Sequence, residues 1–456
     1  MTTRHGITMR SRLGLAALVL FLLPVDAAAQ AIIESRGAAE LGVALRRLGT
    51  TKRVLMIAAH PDDENTALIA ELALGDGADV AYLSLTRGEG GQNLIGPELQ
   101  EGLGLIRTEE LLAARRLDGA RQYFTRAYDY GFSKSADEAF TQWPRDSLLA
   151  DVVEVVRHYR PDIIVSVFSG TDADGHGQHQ AAGIMSREAF TAAADAAQFP
   201  AQLARGLRPH AAAYLFQALY RPPADPPLRV ATGDYDALFG RSRFQIAMES
   251  RSRHRSQDMG MAQPLGPQST SLRVLAGNYP SGAQSLFAGL DTTLSQHAQR
   301  AGAPAGVLGH LLRYEDIVEA IGLALNLFVR PAPAPRPDDA VRALDAALAL
   351  LDDERFVLLR TRTADERKQA ADVLLLHAGV IVDVIADTPT PVPGTSFELT
   401  VTVWNGGPAD VVLNDITPQL PHGWHYTADR SAVMVRLAPS SITTHTFHVS
   451  VPETAV

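Results

Sequence analysis

The chain contains no cysteine. No disulfide can staple it, so its stability rests on packing, and no thiolate is available as nucleophile or metal ligand. Any metal site must therefore be assembled from histidine and carboxylate. A basic excess is missing as well. The 41 Lys and Arg stand against 51 Asp and Glu, a formal net charge of -10, so there is no positive footprint of the kind that tracks nucleic-acid phosphates. Nucleic acid is not an expected partner. Beyond the N-terminus no stretch is long and apolar enough to span a bilayer, and there is no internal repeat. What is present is an ordinary globular composition, 46% hydrophobic and 20% charged over 456 residues, enough for two or three domains with buried cores.

The N-terminus carries Arg4, Arg10 and Arg12, an apolar run from Leu13 to Leu23, Pro24 and the small-residue stretch Ala27 to Ala31. This order is that of a secretory signal peptide, residues 1–30, cleaved after Ala29 or Ala31. The mature protein is therefore expected outside the cytoplasm, periplasmic or extracellular. Three continuous apolar runs follow, at residues 53–59, 80–85 and 162–168. Strands buried on both faces and separated by helical stretches (Asp63 to Leu74, Ile106 to Leu117, Arg145 to Tyr159) predict a Rossmann-like, doubly wound α/β domain with a mostly parallel sheet over residues 31–305. Residues 306–376 predict a helical connector, with helices at Tyr314 to Leu327 and Asp338 to Leu351 around a Pro-rich linker at 330–337. From residue 377 the period becomes two: Phe397, Leu399, Val401 and Val403 alternate with polar residues, and turn signals punctuate the segment. That pattern predicts an immunoglobulin-like β-sandwich. It ends soon after a strand-like run at His445 to Val451, as a fragment of a longer sandwich would.

The segment richest in chemistry is Met56 to Asn65, MIAAHPDDEN, an apolar strand running into His60-Pro61-Asp62-Asp63-Glu64. A catalytic zinc takes three His or carboxylate ligands and keeps a position open for water. His60 and Asp63, three residues apart across a strand-to-helix turn, can converge on one ion, which leaves Asp62 as a base for the water. The plainer alternative is that the three acids decorate a helix N-terminus, with Pro61 in its first turn. The second segment is Asp172 to His179, DADGHGQH, also after a buried strand. Of its two histidines one would be the third ligand and the other a proton donor; alone, they read as loop histidines.

MIAAHPDDE, TRGEGGQN at 86–93, IRTEEL at 106–111 and GHGQH at 175–179 together resemble the LmbE-like, or PIG-L, zinc-dependent de-N-acetylases over about residues 50–260. The resemblance implies His60, Asp63 and His179 as metal ligands, Asp62 as general base and a protonated His176 stabilising the oxyanion and assisting the departing amine. It implies Zn2+ as cofactor, with another divalent transition metal as the alternative. Arg87, Glu89 and Arg107 match substrate-contacting positions, although Arg107 with Glu110 also reads as a surface ion pair. His254, in a late segment, reads as structural. The chain departs from the family at Gly177-Gln178, where Pro-Asp is frequent. Asp172 or Asp174 is the expected substitute for that missing orienter of His176.

The implied activity is removal of an acetyl group from an N-acetylated sugar or related amine, with a small molecule or glycan as partner and an undefined oligomeric state. Two alternatives stand beside it: a metal-dependent amidase acting on a non-sugar conjugate, and an inactive surface protein that binds glycan.

Overall fold

The computed structural model describes residues 37–327, 337–428 and 434–455. The segment read as a signal peptide and all of the Pro-rich linker except Pro337 lie outside the described residues. Strands β1 (Arg53–Ala58), β2 (Asp79–Ser84), β3 (Arg121–Phe124), β4 (Ile163–Ser166) and β5 (Tyr214–Ala218) run parallel in the order β3-β2-β1-β4-β5. Beyond β5 the sheet is completed by β6 (Leu228–Ala231) and β7 (Ser269–Ala276), with β7 between β5 and β6 and antiparallel to both.

The helices beside this sheet are α1 (Ala38–Leu48), α2 (Thr66–Ala70), α3 (Glu101–Asp118), α4 (Ala136–Gln142), α5 (Arg145–Tyr159), α6 (Gly177–Ala192) and α7 (Arg243–Arg251). The continuous apolar run of β1 is explained by two covered faces. Leu55, Ile57 and Ala59 pack on Val152, Val153 and Val156 of α5 and Ala181 and Met185 of α6. Val54, Met56 and Ala58 pack on Leu68 and Ile69 of α2 and Leu111 of α3. Each Val, Leu, Ile or Met side chain among them, wholly removed from water, contributes about 1.5–3 kcal/mol of transfer free energy. The mostly parallel α/β sheet predicted from the sequence is what the chain forms.

The strand order turns β1 toward β2 on one side and leaves β4 on the other. The carboxyl ends of β1 and β4 thus flank a topological switch point, the crevice in which ligands of such sheets bind. Residues 59–65 leave β1 at that crevice and residues 167–179 leave β4 there.

Three further helices follow, α8 (Ala305–Leu327), α9 (Pro337–Leu348) and α10 (Val357–Ala378). Their core contains Leu311, Tyr314, Leu344, Leu351 and Leu359 together with Leu45 and Leu48 of α1, so the first described helix packs with the helical unit. α10 lies against the amino-terminal ends of the sheet. Arg362 donates to Asp162 Oδ1 (2.8 Å) and to Thr51 O (3.1 Å), and Arg53 donates to Asp365 Oδ2 (2.6 Å). Among the described residues no helix is long and apolar enough to cross a membrane.

The C-terminal region is antiparallel. β8 (Val380–Ala386), β9 (Ser396–Asn405), β10 (His425–Ala428) and β11 (Ile442–Ser450) form a sheet in the order β8-β9-β11-β10. Val411–Leu413 pairs separately with Val435–Leu437. Leu437 of the small pair and Val401, Val403 and Phe447 of the larger sheet share one core, which is consistent with the expected β-sandwich.

Candidate metal centre and active site

The turn after β1 is built by backbone geometry that helix would not allow. Asp62 has φ 99°, in the left-handed region that asparagine and aspartate tolerate better than other side-chain-bearing residues. Its N–H donates to Glu64 Oε2 (2.9 Å). The helix starts only at Thr66, where the Asn65 side chain caps it by accepting from Leu68 N (3.0 Å). This corrects the expectation of a helix from Asp63 with Pro61 at its start, and it removes the reading of these acids as helix-terminus decoration. They lie in the turn itself, Asp62 and Asp63 beside the two histidines and Glu64 turned into the buried layer behind them.

Asp63 closes the turn on His60. Its Oδ2 accepts from His60 N (2.7 Å) and meets His60 Nδ1 (3.1 Å), while its Oδ1 faces His179 Nε2 (3.5 Å). Burial pushes Asp63 up, but His60 and His179 hold it well below the usual carboxylate range. Burial pushes His60 down, yet Asp63 and Asp129 carry it up to about 9. Ligand atoms of His60, Asp63 and His179 lie within 4.8 Å of one another, the one such group among the described residues. Two imidazoles and a carboxylate, buried or half-buried beside a crevice, fit a divalent transition metal with coordination left for water.

Asp62 faces the same space. Burial pushes its carboxyl up to about 6, and Arg107, with Nη2 3.0 Å from Oδ1, restrains the rise. Behind it is a buried ionic layer. Glu64 Oε1 receives His254 Nε2 (2.8 Å) and Arg115 Nη2 (3.2 Å), and Arg115 also pairs with Asp118 (2.6 Å). Although burial pushes Glu64 up, His254 and Arg115 hold it well below its ordinary range. His254 is fully buried, in keeping with the structural reading.

In the second segment His176 caps α6 through its side chain, Nδ1 accepting from Gln178 N (3.2 Å). Burial, with His60 and His179 beside it, pushes His176 down to about 4. The resemblance implies a protonated His176; with Nδ1 accepting from Gln178 N, a neutral ring would carry its proton on Nε2. Neither acid expected to orient this ring does so. Asp174 accepts from the N–H groups of Ser169 (2.9 Å), Gly170 (2.7 Å) and Thr171 (3.2 Å), and Asp172 is exposed. The departure at 177–178 has a packing reason. A Cβ at Gly177 would collide with Ser135 O, and the Gln178 carboxamide bridges His60 Nε2 and Asp129 Oδ1 (3.2 Å to the latter). His179 is fixed by the Phe168 ring, stacked at 4.1 Å, and His176 by the edge of Phe132 at 5.0 Å.

The three expected substrate contacts are placed differently. Arg107, 3% exposed, donates to Pro61 O and Gly88 O (3.2 Å) as well as to Asp62, so it braces the turn. Its surface pairing with Glu110 is not formed; Glu110 accepts from Ser256 instead. Glu89 is buried and accepts from Arg87 N and Asp129 N (both 3.2 Å), tying two loops together. Arg87 is exposed, its guanidinium over the Phe124 ring (4.1 Å) and on Thr108 Oγ1 (3.1 Å). Sequence reasoning missed Asp129, Gln178, Phe132 and Phe168. Of these only Gln178 carried a signal, its place within the His-x-x-His segment.

The α/β sheet thus brings HPDD at the end of its first strand and His-x-x-His after its fourth to one crevice. Residues 55–190 match the family model described as PIG-L: GlcNAc-PI de-N-acetylase. It is 34% identical over 167 residues to a 1D-myo-inositol 2-acetamido-2-deoxy-alpha-D-glucopyranoside deacetylase of Rhodococcus jostii, covering 33% of this chain and 56% of that protein. A protein of the same name from Geodermatophilus obscurus is 33% identical over 168 residues, again 33% of this chain and 56% of the relative. The chain thus spans about half the length of the curated relatives it matches. Among solved structures, N,N'-diacetylchitobiose deacetylase from Pyrococcus horikoshii aligns with a TM-score of 0.36 and 23% identity, over 45% of this chain and 70% of that one.

Proposed function

We propose that the chain is a metal-dependent hydrolase that removes the acetyl group from an N-acetylated sugar or related amine. The observation that carries this reading is the convergence of His60, Asp63 and His179 on one point with Asp62 beside them. The matched relatives are named as deacetylases of an acetamido sugar, which supports the substrate class. Zn2+ is the metal best suited to two imidazoles and a carboxylate. When bound, it supplies Lewis acidity, acidifying water and polarising the amide carbonyl.

The chain's own groups do the rest. Asp62, at about 6, is largely ionised at neutral pH yet basic enough to take the proton of the attacking water. The strained turn and Arg107 fix which way its carboxylate points. His176, with Nδ1 occupied by the Gln178 amide, offers Nε2–H to the carbonyl oxygen as negative charge develops there. The proton on Asp62 then passes to the departing nitrogen, leaving acetate and a free amine. The arginine-and-apolar N-terminus supports action outside the cytoplasm.

The test is metal content of the purified protein together with acetate release from a panel of N-acetylated sugars, for wild type and His179→Ala. Acetate released by the metal-loaded wild type, and metal lost from the variant, is the expected result. Full metal retention in His179→Ala would overturn the ligand set. Metal bound without acetate release from any sugar would move the substrate to other amides.

A further inference from the structure

The pole of the sheet opposite the metal centre holds a second concavity. It measures about 560 Å³ and lies where Arg53 opens β1, Asp162 precedes β4 and α10 crosses. Four arginines line it, Arg53, Arg160, Arg300 and Arg362, against two acids, Asp162 and Asp291. In a chain of net charge -10 this is a local excess of positive charge.

The acids present are already engaged. Asp162 accepts from Arg53 N (2.9 Å) and Arg362 Nη2 (2.8 Å), and Asp291 from Arg300. Arg53 is held by Asp365. Arg160 is left over. It ends α5 in the left-handed conformation, φ 58°, is half-buried, and among the described residues its guanidinium has no hydrogen bond or ion pair. Its charged neighbours are chiefly cations. Burial comes first and repulsion from Arg362, Arg53 and Arg208 second in pushing its pKa down, with Asp162 alone opposing. The same arginine, with Arg53 and Arg362, also lines an adjoining cavity of about 520 Å³. A half-buried guanidinium ringed by others is unfavourable until an anion joins it, because each partial desolvation and each like-charge contact goes uncompensated.

We propose that this cavity binds a small molecule bearing a doubly charged oxyanion, a phosphate or sulfate group, with Arg160 as the principal contact and Arg362 and Thr361 of α10 on the opposite wall. The size suits a ligand of a sugar's dimensions, and planar guanidinium donors match tetrahedral oxyanions two bonds at a time. Because the walls come from the sheet and from α10, the anion would bridge the α/β domain and the helical unit. This site is independent of the deacetylase reading, being built at the other end of the strands.

Isothermal titration of the metal-loaded full chain with sodium phosphate and sodium sulfate, against sodium chloride at equal ionic strength, tests it. Saturable binding is expected, together with a rise in Tm absent in chloride. Arg160→Gln should weaken binding about tenfold, the loss of one charge-assisted contact. Arg160→Gly guards against misfolding, because glycine suits φ 58°. It too should lose the binding, while its Tm in chloride rises above that of wild type as the repulsion disappears. No saturable binding of either anion, or unchanged affinity in both variants, would overturn the proposal.

Discussion

The two poles of the parallel sheet handle buried charge in opposite ways. At the carboxyl pole each cation has an acid: His60 has Asp63, Arg107 has Asp62, and Arg115 has Glu64 and Asp118. At the amino pole the accounting leaves Arg160 over, with His210 and His297 beside it, both pushed down to about 4, mainly by burial. A compensated pole holds its side chains in one arrangement without help, which is what chemistry at a fixed distance requires. An uncompensated one is arranged for something that arrives from solution.

The comparison breaks most sharply at Asp62. Asp62→Asn keeps the shape and the tolerance of positive φ, so metal content and fold should survive while kcat falls by about 10²–10⁴, the usual contribution of a positioned general base. Retained turnover would remove Asp62 from that role. Next is the ionic layer behind it. Arg115→Met leaves Glu64 and Asp118 buried without their shared cation, and urea unfolding should show a loss of about 3–5 kcal/mol; a near-neutral result would mean that the layer is replaceable by packing.

The amino pole carries an acid-sensitive group of its own. His210 donates to Pro161 O (2.7 Å) and titrates near 4 when folded, against about 6.5 when unfolded. Between those values the unfolded chain binds the proton and the folded one does not, so stability is complete above about 6.5 and falls as pH drops toward 4. The loss for this one group is on the order of 3 kcal/mol. His210→Gln should flatten the stability profile in that window, and an unchanged profile would assign the acid sensitivity elsewhere. The smallest effect is expected at Gln178. Gln178→Ala removes the bridge between His60 and Asp129 and should weaken metal affinity about tenfold, as losses of groups that orient ligands do, with the fold unchanged by circular dichroism.

How much of this could be read from the sequence follows from the range of the interactions. The β1 run, its two covered faces and the turn HPDD are local, and their pattern shows in ten residues. The meeting of residues 60–63 with 176–179 is long-range, yet doubly wound topology places both at strand ends, so the pairing was legible once the strands were. Asp129 and Phe132 follow β3 in a segment with no distinguishing residue pattern, and their approach to His60 and His176 is set by how the loops cross. The carboxylate of Glu64 reaching His254 across 190 positions is likewise invisible to periodicity. α10 was covered only by the expectation of a helical connector, because its apolar residues cluster at the two ends, Val357 to Leu359 and Val373 to Leu376, around a polar middle that draws no continuous stripe.

The left-handed backbone at Asp62 sets folding against catalysis. A residue with a side chain held there costs on the order of 1–3 kcal/mol, and glycine would relieve it. Asp62→Gly would relieve that strain but strand the buried Arg107, and it should hydrolyse nothing. A search for hardier variants scored on survival alone would be free to give up this backbone. One scored on acetate would have to keep the strain and recover stability elsewhere, for instance at Arg160, where glycine fits the backbone and no bond is lost.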